Sequence, residues 1–289
     1  MRSLGESVME KFLLVCALIS IISVLFMTIF IFKEGMPLFK NVGVGEFLFG
    51  AKWDPQGDSP LYGIFPFIVG SLFVTVLSMV IAVPIGLAVG IFMAEFAKGR
   101  IAEVLRSVIE LLAGIPSVIY GLFGYIAIAP IVRTLTKSNT GLGVLTGAIV
   151  LAIMVLPTII NITEVSLRAV PAHLKEGSMG VGASHWQTIV KILVPAASSG
   201  ITAGIILAMG RSIGETMAVL MVAGNSPTMP TGILSSTRTL TMNIATGISY
   251  ASGDHWVSLF TTGMVLFVFI LVLNIVVQVF LKRSIEKDS

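Results

Sequence analysis

The residues with the greatest chemical potential stand where charge is hardest to keep. Arg211 is the sixteenth of 29 residues in the apolar run from Ala196 to Gly224. At the centre of a membrane span such a charge costs about 2.5 to 3.5 kcal/mol even on the lenient insertion scale, so something polar must face it. Glu215 follows four residues later, which in one continuous helix puts it a turn away on the same face. Ser212 and Thr216 extend the polar stripe, beside Gly210 and Gly214. Two readings follow. The pair is a neutralised ion pair that holds helices together, or Arg211 serves the path of an anion with Glu215 as its resting partner. A planar guanidinium offers bidentate donors suited to phosphate or another oxyanion.

Other reactive groups are poorly placed for catalysis. Arg106 and Glu110 share a helix face near the end of an apolar run, where snorkelling to the interface accounts for both. His173, His185 and His255 lack a second ligand at i+3 or i+4, so no metal site is expected, and no cofactor. Cys16 is the one cysteine, which excludes an internal disulfide. No G-x-x-x-x-G-K-[ST] segment is present to cradle nucleotide phosphates, and neither Gly43-Val44-Gly45 nor Gly180-Val181-Gly182 completes a dinucleotide fingerprint. The chain is expected not to be an enzyme.

The elements that position Arg211 are membrane spans. Of 289 residues 55% are hydrophobic and only 11% charged, which excludes a soluble core and a disordered chain. The formal charge of +3 comes from scattered Lys and Arg, without the basic cluster that nucleic acid needs. Apolar runs predict six helices, at residues 12–32, 64–94, 107–132, 144–163, 196–224 and 257–281. The second contains Pro84 near Gly86 and Gly90, and a tilted or kinked helix is expected. Gly200 with Gly204, and Gly210 with Gly214, form small-residue ridges for close helix approach. Trp53 and Trp256, in outer loops, read as headgroup anchors. With both termini inside, the inner segments carry 11 of the 18 Lys and Arg and the outer ones 6, which favours cytoplasmic termini. The division is an N-terminal helix and outer loop (1–63) and a five-helix core (64–289) with a long inner loop at 164–195.

That loop reads Glu176-Gly177-Ser178, with Gly180, then Gly182, and ends Ile192-Leu193-Val194-Pro195. It resembles the EAA loop of ABC-importer permeases, with Gly177 and Ser178 in place of two alanines and Val194 in place of Leu. Gly114-Ile115-Pro116-Ser117-Val118-Ile119-Tyr120-Gly121 and Gly210-Arg211-Ser212-Ile213-Gly214-Glu215-Thr216-Met217-Ala218-Val219 look like hallmarks of phosphate-specific transporter permeases. The ending Glu-Thr-Met-Ala-Val resembles the PstC-type subunit.

The resemblance implies an all-α polytopic membrane protein with six helices in the MetI-like architecture, in a bacterial or archaeal cytoplasmic membrane. It implies a PstA-like second permease, two PstB-like ATPases, a PstS-like external binding protein and inorganic phosphate as substrate. Arg211, Ser212, Glu215 and Thr216 would then line the substrate path. A short helix over Leu174 to Gly182, with Glu176, Gly177, Ser178, Gly180 and Gly182, would dock on an ATPase. Sulfate, molybdate or tungstate remain alternative cargoes, and reporting phosphate status to a sensor remains an alternative role.

Overall fold

The computed structural model describes residues 4–287; residues 1–3 and 288–289, on which part of the terminal topology rests, lie outside it. Among the described residues five helices are long and apolar enough to cross a membrane, or six if one bent helix pair is counted as a single span. Helix α1 (Leu4–Gly35) leads into a single 3-10 turn (Met36–Lys40) and a short α2 (Val44–Phe49). A two-residue hairpin, β1 (Trp53–Asp54) and β2 (Leu61–Tyr62), adds the only strands among the described residues. Trp53 is half-buried there. Its ring packs against Tyr62, Phe67 and His255, which makes it part of a compact aromatic cap beside the start of the next helix.

The centre of the bundle is a parallel pair, α3 (Phe65–Glu95) and α7 (Val144–Arg168). In α7, 61% of the most apolar window is buried, against none in α1, so α7 is the axis and α1 the periphery. Close approach depends on two glycines a turn apart in α3. A Cβ on Gly86 would lie 2.6 Å from the Ile159 side chain, and one on Gly90 2.7 Å from Thr163. Both contacts advance together along the two chains, which fixes the parallel sense. Pro84 interrupts one backbone hydrogen bond, yet the helix runs unbroken for 31 residues, about 46 Å, enough to cross with tilt. Gly90→Ala is expected to destabilise the protein by about 1–3 kcal/mol through overpacking against Thr163 and the Ile160 carbonyl. An unchanged thermal midpoint in detergent would refute this packing.

The third crossing differs from expectation. The run 107–132 is not one helix: α4 (Gly99–Gly114) stops at an extended Ile115, and Pro116 starts a new direction. The crossing is α5 (Ser117–Phe123), a π-helical turn (Gly124–Ile128) and α6 (Ala129–Thr136). Pro116 cannot donate to the preceding turn, and the residue before a proline is driven out of the helical region, so the break lies where sterics place it. The long loop follows α7 as α8 (Ala172–Gly180), α9 (His185–Thr188), a π-helical turn and α10 (Val194–Ala196). A 69° bend then leads into α11 (Ser198–Gly214). The remaining helices are α12 (Met217–Val222), α13 (Leu240–Gly247) and α14 (Asp254–Lys287). Helix α14 packs along α1, and Thr261 donates to the Gly35 carbonyl at 2.7 Å.

Candidate functional site

Helix α11 lies antiparallel to α7. A Cβ on Gly200 would meet Ser166 and one on Gly204 would meet Ile162, so this glycine pair is the close-packing ridge its spacing suggested. Extending that register by two turns places Arg211 level with about Val155, half-way along α7. The other pair behaves differently. A Cβ on Gly210 or Gly214 would meet nothing within 4 Å, so these residues border open space beside the exposed Arg211.

The expected single helix through 196–224 does not exist. Helix α11 ends at Gly214, Glu215 is extended with φ −69° and ψ 130°, and α12 restarts at Met217. One helical turn therefore does not connect Arg211 to Glu215, and among the described residues no ion pair joins them. The Glu215 carboxylate instead accepts the Ala218 N–H at 3.1 Å, capping a donor that the break exposes. Thr216 bridges the break by donating to the Gly214 carbonyl at 3.3 Å. Ser212 turns away from Arg211 altogether: its hydroxyl hydrogen-bonds Ser78 of α3 at 3.0 Å, with both residues buried.

A second break faces the first. The Tyr120 hydroxyl reaches back across Ile115–Pro116 and donates to the Leu112 carbonyl at 2.6 Å. Helix α5 lies on α12 so closely that a Cβ on Gly121 would come within 3.0 Å of the Ala218 Cα. The Arg211 charge is within electrostatic reach of the Tyr120 phenol. Motifs 114–121 and 210–219, about a hundred residues apart in the chain, thus form one site. Discontinuous helices at mid-span are tolerated where the freed backbone groups line a cavity or are capped by side chains, as here.

At the end of the bundle holding the C-termini of α3 and α7, two acid-centred clusters lock the elements together. Glu164, 7% exposed, accepts from Arg106 at 2.6 Å and Arg168 at 3.0 Å, and Arg168 also donates to the Met93 carbonyl. Arg106 therefore serves α7 across 58 residues of chain, and Glu110 stands exposed. Glu95, 8% exposed at the end of α3, receives Lys175 of α8 at 2.5 Å and the His185 ring at 3.0 Å. Sequence reading missed Glu95. Its only signal was an acid closing the longest uncharged run.

The expected loop helix forms over Ala172–Gly180, two residues earlier than anticipated. None of its residues is buried, and Glu176 points to solvent. A Cβ on Gly177, Gly180 or Gly182 would meet nothing within 4 Å, while Gly182, with φ +92°, is the turn that needs glycine. Leu174, Met179, Val181 and Trp186 are exposed around it. Besides Lys175, Ser178 faces inward, its hydroxyl 3.0 Å from that of Thr188, and Ser184 with Gln187 forms a capping box that starts α9. The helix is tied to α3 by Lys175 and leaves its other side free.

A membrane bundle with two facing helix breaks, a cation on its open side that no carboxylate pairs among the described residues, and a tethered surface helix at one end has the architecture of a transport permease. The sequence matches the model of the binding-protein-dependent transport system inner membrane component over residues 86–286, and the chain belongs to that family. It is 41% identical to a probable ABC transporter permease protein, YqgH, of Bacillus subtilis, over 94% of this chain and 91% of the relative. It is 33% identical to the phosphate transport system permease protein PstC of Mesorhizobium japonicum, over 82% of this chain and 78% of that one. A bacterial ABC transporter involved in import of the polysaccharide alginate shares the fold, with TM-score 0.64 and 14% identity over 97% of this chain and 98% of that one.

Proposed function

We propose that this chain is the PstC-type membrane subunit of an ATP-driven importer of inorganic phosphate, in a bacterial or archaeal cytoplasmic membrane with both termini cytoplasmic. The observation that carries the reading is Arg211: a guanidinium at mid-span, exposed on a glycine-bordered face, with no carboxylate paired to it among the described residues. Such a cation lowers the barrier to an oxyanion without holding it tightly, which suits throughput. Relatives named as phosphate permeases support the choice of phosphate. A PstA-like permease would complete the path against the open face of α11. PstB-like ATPases would dock on α8, and a PstS-like protein would deliver phosphate at the far end. ATP binding favours one arrangement of the ATPases, and α8, through Lys175 and Glu95, passes that preference to α3 as a change of access. No cofactor is needed in this chain.

Uptake of labelled phosphate into vesicles carrying the assembled complex tests the substrate. A hundredfold excess of sulfate or molybdate should leave it unchanged, and strong competition by either would reassign the cargo. Orientation is tested by single cysteines at Ser184 and Ser59 in a Cys16→Ser background. An impermeant thiol reagent should label only position 59 in intact cells, and the reverse pattern would invert the topology.

A further inference from the structure

Among the described residues Arg238 is a second cation without a carboxylate partner. It lies in the segment joining α12 to α13, half-buried, and every group that holds it is neutral. Nε donates to the Asn225 side-chain oxygen at 2.8 Å, Nη2 to the Asn225 carbonyl at 3.3 Å and Nη1 to the Asn243 side-chain oxygen at 3.3 Å. The guanidinium carbon stands 5.7 Å from the centre of the Phe67 ring. Among the described residues no carboxylate pairs with it, and the titratable neighbour acting on its charge is the Tyr250 phenol, neutral at ordinary pH. Burial pushes its pKa below the usual arginine range, though an arginine there stays charged.

Donors outnumber acceptors around it. Three of the five guanidinium N–H groups are spent, which leaves two. The Asn243 side-chain nitrogen is buried without a partner, on the same amide that Arg238 contacts, in a residue 1% exposed. Reversing the Asn243 amide would set N–H against N–H, so the free donor is a consequence of the guanidinium beside it. Buried donors in excess, around an uncompensated cation, ask for an anion.

The location fits a path. A Cβ on Gly70 would strike the Thr237 hydroxyl and the Arg238 carbonyl, which puts the group in the first turns of α3, at the end opposite Glu95 and α8. The segment is held rigidly: Thr237 N–H donates to the Ala223 carbonyl at 2.8 Å, and Leu240 N–H to Ser71 at 2.9 Å. The Thr241 hydroxyl donates to the Glu215 carbonyl at 3.0 Å, a direct link to the break below Arg211. We propose that Arg238, with Asn243 and positioned by Asn225, is a second oxyanion site that receives phosphate at the outer end of the path before Arg211.

The proposal rests on the phosphate reading, and its test separates the two. The intact importer is placed in proteoliposomes with loaded binding protein outside, and initial uptake of labelled inorganic phosphate is followed. Arg238→Gln should cut uptake at least about tenfold while binding-protein affinity and the ATP hydrolysis it stimulates stay within about twofold of the parent. Asn243→Asp seats a carboxylate beside the guanidinium in nearly the same volume and should do the same by occupying the fork. It carries the test if Arg238→Gln fails to assemble. Uptake within about twofold of the parent for an assembled variant overturns the proposal. So does a loss of binding-protein affinity in step with uptake, which would assign Arg238 to a carboxylate of that protein. A parental complex that moves another oxyanion refutes the phosphate reading alone, and the variants are then compared with that ion.

Discussion

Arg211→Gln is expected to lower phosphate uptake about a hundredfold while leaving the complex assembled. Two charge-assisted hydrogen bonds from a guanidinium fork contribute about 3 kcal/mol to an anion at the barrier, and each 1.4 kcal/mol is tenfold in rate. Assembly survives because Arg211 faces open space and Glu215 does not depend on it. The Glu215 carboxylate already has the Ala218 N–H, so removing Arg211 strands no carboxylate that relied on it. For the same reason the double change Arg211→Gln with Glu215→Gln should remain as inactive as the single one. A double mutant moving phosphate at near-parental rate would show that the two charges merely neutralise each other, and would sink the pathway role.

Gly180→Trp should separate coupling from folding. The position borders open space and lies on a helix with no buried residue, so the purified subunit should keep its unfolding free energy within the roughly 0.5 kcal/mol expected of a surface change. Docking of an ATPase on that face should be blocked by bulk, and transport-stimulated ATP hydrolysis should fall at least about tenfold. Gly182 is a less clean probe. Its φ of +92° means that any side chain there adds about 1–2 kcal/mol of backbone strain to whatever it does to docking. If complexes carrying Gly180→Trp keep their ATPase subunits and normal stimulated hydrolysis, α8 is not the coupling helix.

What the amino-acid order determined by itself was whatever depends on neighbours along the chain. A run of apolar residues long enough to span lipid needs no tertiary information, so the crossings at 144–163 and 257–281 were legible to within a few residues. The glycine ridge at Gly200 and Gly204 followed from helical spacing, and the EAA-like loop with its helix followed from a local motif. Breaks within apolar runs were hidden, because hydropathy is the same whether the backbone passes straight through Pro116 and Gly214 or stops there. That choice depends on whether the freed backbone groups find partners, and those partners, the Tyr120 hydroxyl and the Glu215 carboxylate, exist only in the folded bundle. Charge pairing was equally out of reach. Local spacing favoured Arg106 with Glu110 and Arg211 with Glu215, whereas the fold gives Arg106 to Glu164 and Glu95 to Lys175, 58 and 80 residues apart. A buried carboxylate takes whichever cation packing brings to it, and that is a property of helix register, which only the tertiary structure decides.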